Sequence, residues 1–220
     1  MGAVLGVDGC KGGWVGVLWR RDAVEVLVAL DLGSLVAQAG DVDAVAVDIP
    51  IGLVDGTDRG PEALARARLP GRASTVFNAP ALAALHAPSY EVANAMNRTS
   101  VGKGLSRQAY SLLPKIVDAH DYVSAGPAPP VIEAHPELCF ATMNGSVVRE
   151  PKKTTAGVAI RRRLLLDVGI DVPTRRVLGA ATDDVLDAAA VAWTARRFAD
   201  GAADRLPEEP RHVLRPAIWA

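Results

Sequence analysis

The sequence predicts an α/β fold built on a mixed sheet, and three observations carry that prediction. Apolar or alternating runs at residues 3–7, 14–19 and 24–30 are separated by glycines and by a polar turn at residues 20–22, which is typical of a three-strand meander. Leu32–Ala39 fits a short crossover helix. Residues 43–49 form a further buried apolar strand. A meander followed by a crossover and another strand indicates parallel and antiparallel pairing in one sheet.

The middle of the chain has a different composition. Residues 55–122 are rich in Arg, Ala, Ser and Pro, and we predict a helical insertion or cap after the fourth strand. Its expected helices lie near residues 61–68, 80–86, 89–97 and 106–122.

The last ninety residues complete a sheet of five predicted strands. Residues 131–134 form the fifth strand, and a helix is expected at about 155–168. Thr182 is expected to cap a final helix from residue 183 to about 199, with Gly201 just past its end. The whole chain, residues 1–220, is therefore predicted to be a single domain.

Composition limits the classes of protein and partner. The 220 residues are 50% hydrophobic, which excludes a disordered chain, and the net charge of −1 leaves any basic surface local. The two cysteines are too few for a disulfide framework. There is no apolar run of membrane length and no signal-peptide pattern. We therefore expect a cytoplasmic protein with no membrane partner.

Asp8 and Asp48 each close a predicted buried strand. Carboxyl ends of strands are where open α/β sheets bind their ligands. A carboxylate at the end of a buried strand is costly unless it is paired or binds a metal. The alternative for either residue is a turn aspartate, since Gly9 follows one and Pro50 lies two residues beyond the other.

Asp184 and Asp187 lie three residues apart on one face of the final helix. The helix dipole alone could account for Asp184, but it accounts less well for Asp187, which an apolar run follows. Two carboxylates about 5 Å apart repel by roughly 3 kcal/mol at an effective dielectric near 20. Three or four acids would not gather at one place without a cation or shared protons, and we predict a divalent-metal site.

The expected cofactor is Mg²⁺ or Mn²⁺, because these ions prefer oxygen ligands. Zinc is not expected, because the histidines are scattered and have no zinc-ligand spacing. They are His86, His120, His135 and His212.

Six short blocks carry a family resemblance. They are residues 4–14 (VLGVDGCKGGW), 47–53 (VDIPIGL), 72–77 (Arg72 with STVF at 74–77), 104–109 (GLSRQA), 133–137 (EAHPE) and 183–188 (DDVLDA). Together and in this order they resemble the domain-of-unknown-function family 429, over nearly the whole chain.

That resemblance implies a predicted nuclease with a ribonuclease H-like fold. It implies a five-stranded mixed sheet with Asp8 on the first strand and Asp48 on the fourth, and the acid pair on the last helix. The D-x-x-D-A ending at residues 184–188 is similar to the Holliday-junction resolvase branch.

Further residues are candidates for the same site. Glu133 is a candidate fifth catalytic carboxylate. His135 and Glu137 are candidates for residues that contact a catalytic carboxylate and hold it in position. Each also has a structural reading, as a strand-end acid, a histidine beside proline or a turn residue. The predicted phosphate or substrate contacts are Lys11, Arg72, Lys103, Ser106, Arg107, Gln108 and Lys152. The arginine run at residues 161–163 is interpreted as one exposed helix face, and Cys10 as a wall of the site.

The predicted function is a metal-dependent nuclease or phosphodiesterase, a hydrolase whose partner is nucleic acid or a nucleotide phosphoester. Two alternatives stay open. One is another phosphoryl-transfer enzyme on the same fold, because the Gly-rich turn after Asp8 resembles a phosphate loop. The other is a non-catalytic module that binds nucleic acid or a partner. The near-neutral charge weakens general nucleic-acid binding, because phosphate contacts normally need a basic stripe.

Overall fold

A mixed α/β architecture with one seven-stranded sheet is present in the computed structural model. The structure describes residues 2–21, 23–57, 59–208 and 216–220. Asp22 of the predicted polar turn and His212 lie outside the described residues. The strands lie in the order β3-β2-β1-β4-β5-β7-β6, so the sheet grows on both sides of β1.

The first three strands form the predicted meander. They are β1 (Val4–Cys10), β2 (Gly13–Arg20) and β3 (Ala23–Ala29), and neighbours are antiparallel. The next two, β4 (Ala44–Val47) and β5 (Val131–Ala134), are parallel to β1. Two short strands complete the sheet, β6 (Arg205–Leu206) and β7 (Ile218–Trp219). Asp8 therefore lies inside β1, whereas Asp48 directly follows β4.

The predicted count of five strands is wrong, because β7 adds to the far side of β5 and β6 adds to β7. Each of these strands has two residues and lies in the Pro-rich tail. A pair of residues is too short to show the period-2 alternation on which strand prediction depends. Their pairing depends on tertiary contacts, since β7 pairs with β5, which is distant in sequence, and β6 pairs with β7.

Eight α-helices connect and cover the described strands. They are α1 (Leu32–Ala39), α2 (Pro61–Ala67), α3 (Tyr90–Val101), α4 (Arg107–Ser111), α5 (Leu113–Ser124), α6 (Pro136–Asn144), α7 (Thr155–Asp167) and α8 (Thr182–Ala199). Asp31 caps α1 by accepting a hydrogen bond from the Ser34 N–H, and Gly201 follows the end of α8 with φ of 71°.

Several helix predictions need correction. Residues 80–86 form only a 3-10 turn at Leu82–Ala84, and residues 106–122 split at Leu112 into α4 and α5 because Pro114 begins a new helix. Helix α6 was not predicted, although Pro136 is a helix-start residue. The N-cap of α8 is Ala181 rather than Thr182, and Asp184 accepts the Ala181 N–H instead.

The two faces of the sheet are covered by different helices. Helix α8 lies on one face, where Ala188 and Ala192 pack with alternate residues of β1 and β4. On the other face, α1 and α5 pack with the remaining strand residues, among them Leu5 and Val7. The last helix of the predicted insertion is therefore part of the covering of the sheet.

Candidate carboxylate site

Asp8 and Asp48 lie side by side at the same face of the sheet. Val7 pairs with Val47 in the parallel β1–β4 ladder, and the Asp48 N–H donates to the Val7 carbonyl at 2.9 Å. Side chains alternate along a strand, and Ala44 and Ala46 of β4 pack in the cluster that contains α8. Both aspartates therefore project towards α8.

Asp187 reaches this face from the second turn of α8, with only 3% of its surface exposed. The approach is close because β1 has a glycine beneath the helix. A Cβ on Gly6 would overlap the Ala188 carbonyl and the Ala192 nitrogen. Because Gly6 has no side chain, the backbone of α8 packs directly against β1. This close packing places Asp187 near Asp8.

Lys152 supplies a positive charge to this cluster. Its Nζ lies 2.5 Å from Asp187 Oδ2 and 3.9 Å from Asp183 Oδ2. The residue lies in the turn before α7, whose N-cap is Thr154. Of the predicted phosphate contacts, Lys152 is the one whose side chain reaches the acids.

Burial raises the pKa of all three acids, and neighbouring charges modify each shift. Burial is the main cause that raises the pKa of Asp8 well above its usual value, and the charges of Asp48 and Asp187 add to it. Burial, then Asp187, raises the pKa of Asp48 to about 8. Burial raises the pKa of Asp187 to about 6 although Lys152 opposes the shift. At neutral pH the cluster therefore holds protons in place of some of its negative charge.

Asp184 lies at the rim of the cluster. It is half-buried, and its Oδ2 accepts the Ala181 N–H at 2.9 Å. Burial raises the pKa of Asp184. The capping contact accounts for the position of Asp184 at the helix start. The charge of Asp184 also raises the pKa of Asp8.

Lys115 reaches the same end of β1 from the opposite face, and no pattern in the sequence marks it. Its Nζ donates to the Gly13 carbonyl and lies 4.6 Å from the centre of the Trp14 ring. The stem of the side chain passes over Gly9, where an added Cβ would lie 2.7 Å from Lys115 Cδ. Burial lowers the pKa of Lys115, and Asp8 and Cys10 act against that shift.

Glu133 is held on the other face of the sheet. Its β5 neighbours Ile132 and Ala134 pack with the α8 cluster, so its own side chain projects away from α8. Glu133 Oε2 accepts from Arg59 Nη2 at 2.6 Å and from the Ile51 N–H at 2.8 Å. Arg59 also pairs with Glu62 at 2.9 Å. Burial raises the pKa of Glu133 to about 7, while Arg59 opposes the shift.

Glu137 is paired with two arginines behind the acid cluster. Arg161 Nη2 contacts both Glu137 oxygens, at 2.8 and 2.9 Å, and Arg72 Nη2 contacts Oε1 at 3.0 Å. Arg161 is fully buried, so the prediction that residues 161–163 form one exposed face is wrong for it. Its guanidinium is buried because α7 packs against α6 and α8, and a spacing pattern cannot show that contact.

His135 closes β5 at the N-cap position of α6. Its Nε2 lies 3.3 Å from the Thr75 carbonyl oxygen. Its Nδ1 is buried, and no hydrogen-bond partner for it lies within the described part of the chain. Burial lowers the pKa of His135, which keeps the ring neutral. A neutral ring suits a structural role between the helix start and the Thr75 loop.

The remaining predicted substrate contacts lie elsewhere on the surface. Lys11 is exposed in the β1–β2 turn, and Lys103 lines a small cavity with Arg59 and Asn97. Ser106 caps α4, Arg107 lies 3.9 Å above the Tyr90 ring, and Gln108 is exposed. Arg72 is occupied by Glu137 as described.

Cys10 is buried at the end of β1 and carries a free thiol. Burial raises its pKa, so its thiol stays protonated, as expected for a wall residue rather than a nucleophile.

The donor chemistry of the cluster fits a hard divalent cation, because Asp8, Asp48 and Asp187 offer only carboxylate oxygens. Their positions do not yet form a ligand set. Among the described residues, no group of three or more His, Cys, Asp or Glu side chains is placed to hold one metal ion. The ammonium of Lys152 lies against Asp187 instead.

The fold and the site define the chain as a mixed α/β protein with a buried carboxylate cluster between two parallel strands and the last helix. Residues 6–212 match the model of the family described as protein of unknown function DUF429, and the chain belongs to that family. Comparisons with curated proteins and with solved structures found no match. Among the described residues, no helix is both long and apolar enough to cross a membrane.

Proposed function

We propose that this chain is a metal-dependent phosphodiesterase that cleaves nucleic acid. The observation that carries the proposal is the convergence of Asp8, Asp48 and Asp187 from two strands and a helix onto one face. Three buried acids whose pKa values are raised by burial and by neighbouring carboxylates are unfavourable for folding. Such an arrangement is expected where the acids serve a function rather than stability.

The order of the first five strands supports a ribonuclease H-like fold. Strands β3, β2 and β1 are antiparallel, β4 and β5 continue in parallel, and Asp8 and Asp48 lie on the first and fourth strands. The acid pair lies on the last helix. This is the arrangement that the family resemblance implies.

The proposed cofactor is Mg²⁺ or Mn²⁺. Asp8, Asp48 and Asp187 would hold it, with Asp184 at the rim. When bound, such an ion activates water and stabilises charge on the phosphate oxygens. The protein's own part is to hold the carboxylates in a water-poor setting and to place Lys152 beside the phosphate that enters.

A cleavage screen tests the proposal. Purified protein is incubated with single-stranded, duplex and branched DNA and RNA, with Mg²⁺, Mn²⁺ or EDTA. We expect cleavage of at least one substrate that requires the metal and falls at least about 100-fold in Asp8→Asn. The matched control is Asp171→Asn, which removes an exposed acid and should cleave like the wild type. Cleavage that survives in EDTA, or in Asp8→Asn, would contradict the proposal.

A non-catalytic binding module is the second candidate, and the Lys152–Asp187 contact is the observation that favours it. In that case the lysine would be a permanent partner of the acids. Binding of nucleic acid without cleavage, unchanged in Asp8→Asn, would support this candidate.

A further inference from the structure

The side chain of Lys152 is surrounded by acids from several elements. Asp187 Oδ2 lies 2.5 Å from its Nζ and Asp183 Oδ2 lies 3.9 Å away, both on α8. The negative charges of Asp8 in β1 and of Asp48 after β4 also favour the charged form of the same ammonium group. From α6 and α7, Glu137 and Arg161 face Asp187 but are matched to each other through two hydrogen bonds. Among the described residues, Lys152 is therefore the cation that forms an ion pair with Asp187 and also interacts with Asp8 and Asp48, while Lys115 acts on Asp8 from the opposite face.

The backbone that carries Lys152 is anchored, whereas its side chain is partly open to solvent. The Pro151 carbonyl accepts from the Thr154 N–H at 3.0 Å, and the Glu150 carbonyl accepts from Arg161 Nη1 at 3.0 Å. The Lys152 side chain keeps 36% of its surface exposed, against 4% for Asp187. The ammonium can therefore leave Asp187 by rotation of its own flexible stem, with no movement of α7 or α8.

A lysine ammonium bound to Asp187 and a metal ion bound to Asp187 would require the same oxygen lone pairs. A lysine ammonium and a hard divalent ion both seek carboxylate oxygens, and two cations at one oxygen repel. Among the described residues, no three acids are placed as a ligand set for one ion, and the Lys152 ammonium lies against Asp187.

We propose that Lys152 is a built-in competitor of the divalent cation, which neutralises Asp187 in the metal-free protein and is released when the metal binds. This inference rests on the proposed metal-dependent function. The released ammonium stays at the mouth of the site because its backbone is anchored. It is then free to pair with a phosphate of the substrate, so that metal binding and phosphate binding favour each other.

Metal affinity tests the competition directly. Mn²⁺ binding is measured by isothermal titration calorimetry for the wild type, Lys152→Met and Lys153→Met. Lys153 is the matched control, since it is the next lysine, is 80% exposed and lies 3.9 Å from Asp183. We expect Lys152→Met to bind Mn²⁺ at least about tenfold more tightly than the wild type. Lys153→Met should stay within about twofold of the wild type, because its charge is exposed and screened.

Amine labelling tests the release without any reading of activity. Wild-type protein is treated with an acetylating reagent with and without Mn²⁺, and the modification of each lysine is measured by mass spectrometry. We expect Mn²⁺ to raise the labelling of Lys152 at least about threefold, because a paired ammonium is the less reactive form, and to leave Lys153 unchanged.

The outcomes separate this inference from the proposed function. If the wild type and Lys152→Met bind Mn²⁺ equally well, or the variant binds more weakly, the competition is wrong while the metal site stands. If neither protein binds Mn²⁺ or Mg²⁺, the proposed metal-dependent function fails and the competition fails with it. A Lys152 that is labelled equally with and without bound Mn²⁺ also overturns the release.

Discussion

Gly6 of β1 lies directly beneath the carbonyl of Ala188 in α8, and no space for a Cβ is left between them. This contact sets the distance between the last helix and the sheet. Because Asp187 precedes Ala188, the contact also sets the height of Asp187 over Asp8. One small residue in the core therefore connects helix packing with the geometry of the acid cluster.

Gly6→Ala is expected to destabilise the protein by about 1–3 kcal/mol, because the added methyl overpacks the helix–strand contact. Urea unfolding followed by circular dichroism measures the loss. The control is Gly33→Ala in α1, where the added Cβ would meet Tyr122 at an ordinary 3.4 Å. Equal stability of the Gly6→Ala and wild-type proteins would show that α8 has room to shift.

The stability of the metal-free protein should fall as pH rises from 6.5 to 8.5. Asp48 has a folded pKa of about 8 and Glu133 one of about 7, both above their unfolded values. The folded state therefore binds more protons than the unfolded state in this range, and it loses stability as those protons leave. We expect a loss of about 1–3 kcal/mol in urea unfolding with EDTA present. His135 does not reverse the sign, because its lowered pKa acts below this window.

Asp48→Asn should reduce this pH dependence, since an amide has no proton to lose. The variant should also be at least as stable as the wild type at pH 8, because one buried charge is removed. A variant whose stability falls with pH as steeply as that of the wild type would mean that Asp48 does not carry the effect.

Arg161→Met should destabilise the protein by about 3–5 kcal/mol, because it leaves the buried Glu137 with Arg72 alone. The change is measured by denaturant unfolding at pH 7. Arg163→Met is the control, since Arg163 is 70% exposed and its partner Asp167 lies 3.8 Å away. We expect that control to stay within about 0.5 kcal/mol of the wild type. A loss of unfolding free energy as small as this in Arg161→Met would contradict a stabilising role for the buried Arg161–Glu137 pair.

Glu133→Gln separates the two faces of the sheet. Its carboxylate is bound to Arg59 on the face away from α8, so we expect Mn²⁺ affinity within about twofold of the wild type. Asp8→Asn should lower that affinity at least about tenfold in the same calorimetric titration. A tenfold loss in Glu133→Gln would instead place Glu133 among the metal ligands, which would support its prediction as a fifth catalytic carboxylate.

Arg59→Met should destabilise the fold by about 3–5 kcal/mol, since Glu133 and Glu62 would be left buried without their cation. Adding Glu133→Gln should recover part of this loss, because one stranded charge is removed. The two variants and the double variant are compared by urea unfolding. No recovery in the double variant would indicate that Arg59 acts through packing rather than charge.

Local patterns in the sequence were enough for the first five strands, the crossover helix, α7 and the end of α8. Apolar runs, alternation and glycine boundaries are local signals, and the residues concerned form regular elements. The placement of Asp8 and Asp48 near the carboxyl ends of β1 and β4 also follows from sequence, although β1 continues past Asp8 to Cys10.

Only the tertiary structure decided which acids share a face of the sheet and which cation forms an ion pair with them. Glu133 and Asp48 look alike as acids near strand ends, but the alternation of β5 turns Glu133 towards Arg59. The Lys152–Asp187 ion pair, the Arg161–Glu137 ion pair and the hydrogen bond from Lys115 to the Gly13 carbonyl join residues that are far apart in the chain. Such pairings depend on how helices pack across the sheet, and no periodicity in a single segment records that packing.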